Sequence, residues 1–211
     1  MRTALILLIP MVAGCGSPDP GTQPPADNRI LVSGSDMGVL FQNINLSRAG
    51  FPVTGAEILV NGGLMVEGQA GRYSGQLPAP LAVGDTVEIE VRAGSDTIRG
   101  TTTVPAVPTL LTPTGGTMIQ LGTPLGFTWA DVSNPDEFRI GILYSGTGEV
   151  ASYGASARSG TVVTSRIPAT TTTMSAFIYA YGDGTFTGPA HPDSKMRVRQ
   201  PGGTVGIVPL H

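Results

Sequence analysis

One cysteine, Cys15, stands in the whole chain, so no disulfide can form within it and no thiolate cluster can hold a metal. Two histidines, His191 and His211, are too few and too far apart to give ligand spacing. Charge is scarce, at 13% of residues, with Lys195 the single lysine and a formal net charge of −3. A negative balance offers nothing to phosphate backbones and argues against nucleic acid as a partner. No apolar run reaches the roughly 20 residues of a membrane-crossing helix. No stretch carries helical periodicity, no glycine-rich phosphate loop leads into a helix, and no G-x-S-x-G elbow is present. Glycine and proline are plentiful, at 30 and 18 residues, and fall between short Val-, Ile- and Thr-rich runs. Dense turns between such runs argue for an all-β sandwich or barrel, and 40% hydrophobic residues suffice for a core.

The amino end is patterned differently. Arg2 gives a positive head, Ala4 to Val12 is mostly apolar, and Val12-Ala13-Gly14-Cys15 closes the run with small residues. A charged start, apolar centre and small-residue cut site read as a secretory leader. The ending resembles the lipobox of bacterial lipoproteins at all four positions. That resemblance implies removal of residues 1–14 and a fatty-acyl (palmitate-type) anchor on Cys15 as the new N-terminus. It also implies outer-membrane delivery, because Gly16, not Asp, follows the cysteine. Losing the leader removes one Arg and no acid, taking the charge from −3 to −4. Residues 15–28 are expected to be the lipidated Cys and a Pro/Gly-rich tether. At about 3.1 Å per residue such a tether could hold the body roughly 40 Å off the membrane.

Residues 29–107 alternate in the manner of half-buried strands. Val87, Ile89 and Val91 interleave with Glu88, Glu90 and Arg92, giving one core face and one wet face. Asn61-Gly62 between Ala56–Val60 and Leu64–Val66 is a hairpin signal, since both turn positions need positive φ. The wording "GFPVTGAEILVNG" and "GRYSGQL" resembles Ig-like modules of bacterial surface proteins and carboxypeptidase-regulatory-type sandwiches, neither of which implies catalytic residues here. Pro105 to Pro108 interrupts any ladder and marks a boundary.

Residues 108–200 open on a Pro-rich edge strand, then "PLGFTWA" around Trp129. Phe138 to Tyr144 follows, and later "AFIYAYGDG", with Met174, Ala176, Ile178 and Ala180 on one side and Phe177, Tyr179 and Tyr181 on the other. This order resembles a fibronectin type III domain, with its core Trp on the second strand and a late Tyr-rich strand ending in a Gly-rich turn. The family's corner tyrosine is absent; Ile167-Pro168 and four threonines stand there instead. The expectation is two tandem Ig-like or fibronectin III-like sandwiches, 29–107 and 108–200, with 201–211 a tail that either adds an edge strand or frays.

Chemistry-bearing residues are few. His191 with Asp183 and Asp193 could form a metal or acid–base cluster, although an exposed loop histidine explains it better. "DVSNPD", Asp131 to Asp136, could offer carboxylates and carbonyls to calcium but lacks the spacing of a dedicated loop. Glu88 and Glu90 read as a solvated face, and Asn45-Leu46-Ser47 as a chance glycosylation match. Tyr153, Tyr181 and Phe186 are the aromatics to inspect for a sugar platform. No catalytic residue, metal ligand or cofactor is expected. The expected role is a non-catalytic, lipid-anchored envelope protein whose modules act as spacer or adhesion and protein-interaction units. A glycan-binding lipoprotein is the alternative and an envelope hydrolase the remote third. Metabolic labelling with a fatty acid is expected to mark the chain, and Cys15→Ala to abolish the label.

Overall fold

The computed structural model describes residues 27–37 and 41–210. The leader, Cys15, most of the tether and His211 lie outside the described residues. Sixteen strands and no helix make up the described part. In the first stretch these are β1 (Ile30–Met37), β2 (Phe41–Arg48), β3 (Phe51–Pro52), β4 (Glu57–Val60), β5 (Gly63–Gln69), β6 (Arg72–Gln76), β7 (Thr86–Ala93) and β8 (Asp96–Thr103). In the second they are β9 (Leu110–Thr112), β10 (Met118–Gln120), β11 (Leu125–Trp129), β12 (Glu137–Tyr144), β13 (Thr147–Gly154), β14 (Ser159–Val162), β15 (Met174–Thr187) and β16 (Lys195–Leu210).

The alternation read from sequence sets the faces. Val87, Ile89 and Val91 of β7 are fully buried, while Glu88 is exposed and Glu90 partly so. The Asn61-Gly62 turn joins β4 to β5 with φ of 46° and 78°. Tyr73 is buried, and its hydroxyl donates to the Val53 carbonyl and accepts from the Ala56 N–H, each at 3.0 Å, tying down the loop before β4.

Two buried clusters result. In the second, β9, β11 and β14 form one sheet and β13, β12, β15 and β16 the other. Trp129 and Phe127 of the first sheet meet Phe138, Ile140 and Ile178 of the second, with Trp129 and Phe138 ring centres 5.4 Å apart. Counted in chain order, this division of strands is that of a fibronectin III-like sandwich. At the corner where a tyrosine was missing, the buried Thr164 hydroxyl donates to the Thr123 carbonyl at 2.7 Å, and Ile167 is buried.

The expected Gly-rich turn is corrected, and the tail takes the strand alternative rather than fraying. β15 does not stop at Tyr181 but runs through Gly-Asp-Gly to Thr187, and residues 201–210 are the second half of β16. The glycines are what let the strand continue. A Cβ on Gly182 would lie 2.3 Å from the Thr103 carbonyl oxygen, and one on Gly184 2.7 Å from that of Thr101. Glycine thus serves close approach to β8 rather than a turn. In β16, Pro201-Gly202-Gly203 coincides with a register shift, not an end.

The β15–β16 hairpin therefore serves both cores. Its base packs in the second cluster. Its far end pairs with β8 through Thr185–Thr187 and, in parallel, with β1 through Met196 and Val198. Pairing then runs unbroken from β16 through β1, β2, β6, β5, β4, β7, β8 and β15 back to β16. Met196 and Val198 are buried in the first cluster, and Phe186 and Ala190 pack against it. Truncating Met196 to Ala is expected to cost about 2–5 kcal/mol. Thermal unfolding of the full chain checks this, and hydrogen exchange should show the loss of protection on β1 and β8, far from residue 196 in sequence.

Candidate interaction face

The outer face of the β13-β12-β15-β16 sheet gathers Phe177, Tyr179 and Tyr181 with Glu137, Arg139, Asp183, Arg197 and Arg199. Register sets Glu137 opposite Tyr181, Arg139 opposite Tyr179 and Gly141 opposite Phe177. On the other side of β15, Asp183 faces Arg197, Tyr181 faces Arg199 and Tyr179 faces Pro201. Directly opposed side chains on one sheet face are close enough to interact, and diagonal neighbours two residues along stay within reach of aromatic and long side chains. The Arg139 guanidinium lies 4.6 Å from the Tyr181 ring centre, Arg197 lies 5.2 Å from it, and Arg199 lies 5.0 Å from the Tyr179 ring. Such cation–π contacts are each worth about 0.5–1 kcal/mol when exposed and about 2 when desolvated.

Ion pairs fix this array. Arg197 donates to both Asp183 oxygens, at 2.5 and 2.9 Å, and to Glu137 at 2.9 Å. Glu137 also accepts from Arg139 at 2.7 Å and from the Ser152 hydroxyl at 2.9 Å. Burial pushes the Glu137 carboxyl up, but the Arg139 and Ser152 hydrogen bonds and the two guanidinium charges outweigh it and hold it below its ordinary range. Farther along, the Phe177 ring lies over Gly141, where a Cβ would sit 2.4 Å from its Cζ. Phe177 and Tyr179 ring centres are 5.0 Å apart and tilted by 38°. Leu143 and Val150 extend the face as exposed apolar side chains.

The three aromatics singled out from sequence lie apart. Tyr181 is 2% exposed, beneath its two arginines. Tyr153 is half-buried 5.8 Å from Trp129, with its hydroxyl donating to the Thr161 carbonyl and accepting from the Thr161 N–H. Phe186 packs on the first cluster over Gly100. As placed, they do not form one exposed platform. Arg139 and Arg199 join Phe177 and Tyr179 on this face without being singled out by the sequence pattern. The signal was present as Tyr179-x-Tyr181 and Arg197-x-Arg199, two same-face pairs on strands whose mutual register sequence does not disclose.

The other candidates also separate. Asp183 is committed to Arg197, while His191 sits in the β15–β16 turn, 3.5 Å from Asp27 and 3.7 Å from Asp193. Asp131 pairs with Arg158, and Asp136 accepts from the Asp183 N–H at 2.8 Å, so the ends of the "DVSNPD" loop serve different partners. Among the described residues no group of three or more His, Cys, Asp or Glu could hold a metal ion. Glu90 bridges Arg92 and Arg99 on the wet face of β7.

No family model and no curated protein matches the sequence. Among solved structures, the fibronectin(III)-like modules of Clostridium thermocellum CbhA match with 14% identity and a TM-score of 0.29, covering 85% of this chain and 93% of that one. The FN1-FN3 domains of chicken CNTN1 match at 13% and 0.30, covering 84% of this chain and 62% of that one. Bacteroides ovatus SGBP-B, of a mixed-linkage glucan utilization locus and solved with a mixed-linkage heptasaccharide, matches at 10% and 0.24, covering 88% and 43%. The class rests on strand order alone: an all-β chain of Ig-like and fibronectin III-like architecture.

Glu137→Gln tests the ion-pair array. The folded-state carboxyl is depressed, so its contribution is present above the ordinary value of 4.5 and lost as pH falls through the folded value. Wild type is therefore expected to be more stable than Glu137→Gln at pH 7, with the gap closing below about pH 4.5. Thermal melts of both across pH measure it.

Proposed function

We propose that this chain is a non-catalytic protein of the bacterial cell envelope, anchored through a lipid on Cys15, whose β-sandwich modules display an interaction surface at the end of a tether. The observation that carries the location is Val12-Ala13-Gly14-Cys15 closing a charged-then-apolar leader. The observation that carries the interaction role is the arginine–aromatic face on β12, β15 and β16, whose side chains are locked by cross-strand pairs. Locked side chains lose little freedom on binding, which favours contact with a partner. Arginine and tyrosine are also the residue types enriched where proteins meet. A protein partner, for adhesion or assembly, is the first reading.

A glycan ligand is the second reading, and it rests on Phe177 and Tyr179, adjacent rings on one sheet face. The experiment places a photo-crosslinking residue at position 177 or 179 of the full chain in living cells. Adducts with a defined envelope protein, absent when the crosslinker stands at exposed Thr172, are the expected result. Retardation of the purified chain by polysaccharide in a gel, lost in Tyr179→Ala, would shift the reading to a glycan. A reproducible hydrolase activity of the purified protein would overturn the non-catalytic role.

A further inference from the structure

A sheet edge presents unpaired amides and carbonyls, and proteins blunt it by shortening, proline, charge or cover. Most edges here are blunted. β3 has two residues including Pro52, β9 and β10 have three each, and β14 has four. Tyr153 further covers β14, its hydroxyl engaging both main-chain groups of Thr161. β13 is different. It pairs with β12 over all eight residues without a bulge and contains no proline or lysine. Its one charge, Glu149, lies on the side of Ala151 and Tyr153, which pack against the core, and is 3.7 Å from Arg166.

The turn before β13 fixes which groups reach the free edge. Ser145 and Gly146 have φ of 46° and 78°, a two-residue turn that returns the Thr147 N–H to the Tyr144 carbonyl. Alternation then aims the main chain of Thr147, Glu149, Ala151 and Tyr153 at β12, and that of Gly148, Val150 and Ser152 outward. Among the described residues, no hydrogen bond from outside β12 reaches the main chain of those three.

We propose that β13 is the docking edge for a second copy of this chain. Two β13 strands pair antiparallel about a two-fold axis, joining the β13-β12-β15-β16 sheets of two molecules into one. Self-pairing is favoured over a foreign strand because the seam is self-complementary, as a two-fold interface must be. With the axis at Val150, Val150 meets its mate and Gly148 meets Ser152, so no charge opposes its own copy. The three residues whose main chain faces outward, Gly148, Val150 and Ser152, carry no charge, so nothing along the seam repels a second copy. Val150 and Leu143, 54% and 47% exposed, form an apolar strip beside the seam that the partner's strip continues.

The test is sedimentation of the full chain in detergent across the micromolar range. A dimer is expected. Val150→Pro removes an outward N–H without touching the β12 ladder, and Val150→Lys brings two cations together at the axis. Both are expected to give monomer, with the Lys variant keeping the wild-type thermal midpoint. A wild-type monomer throughout the range overturns the proposal. So does a dimer that both folded variants retain, or a foreign strand found on β13 in place of the second copy. The outcome is independent of the lipid anchor and of the arginine–aromatic face, so failure here leaves the proposed role standing.

Discussion

The structure depends on one hairpin being shared by two cores. β15 and β16 begin and end in the second cluster, yet their far ends close the first by pairing with β8 and β1. Without Met196 and Val198 the first cluster would have an open side and two unpaired strand edges, a costly arrangement in water. Burying these two side chains is worth on the order of 1.5–3 kcal/mol each. The shared hairpin also couples the halves energetically, since any loosening at its tip is felt by β8 and by β1, the latter more than a hundred residues away in sequence.

The outer face of the same hairpin carries the electrostatics. Three arginines, two tyrosines and two carboxylates interlock there, so the surface is ordered before any partner arrives. The ion pairs, not the rings alone, set the geometry: Arg197 holds Glu137 and Asp183 at once, and Glu137 in turn holds Arg139. Exposed ion pairs contribute little individually, but a network on a rigid sheet fixes side-chain directions.

Much of this was legible from local chemistry. Alternation in Thr86–Arg92, the Asn61-Gly62 turn, and the division of Met174–Tyr181 into two sides all follow from period two and positive-φ demand. What failed was non-local. Gly182-Asp183-Gly184 reads as a turn because glycine favours turns, but here it is bare because a neighbouring backbone lies against it. Pro201-Gly202-Gly203 reads as an end for the same reason. The site was half legible: the side of β15 that bears Tyr179 and Tyr181 was apparent, but burial of Tyr181 required knowing that the diagonal neighbours Arg139 and Arg197 reach over its ring. Register between distant strands is set by tertiary packing, and a single strand does not contain it.

The order of synthesis follows from the same hairpin. Residues 30–104 leave the ribosome first, yet the strands that complete their sheet come from the last thirty or so residues of the chain. Until those arrive, β1 and β8 wait with open edges, which is the state most exposed to wrong pairing and to proteases. Long-range parallel pairing of this kind is also slow to form. Closure of the first sheet therefore waits for the tip of the hairpin, so its folding is tied to that of the second core.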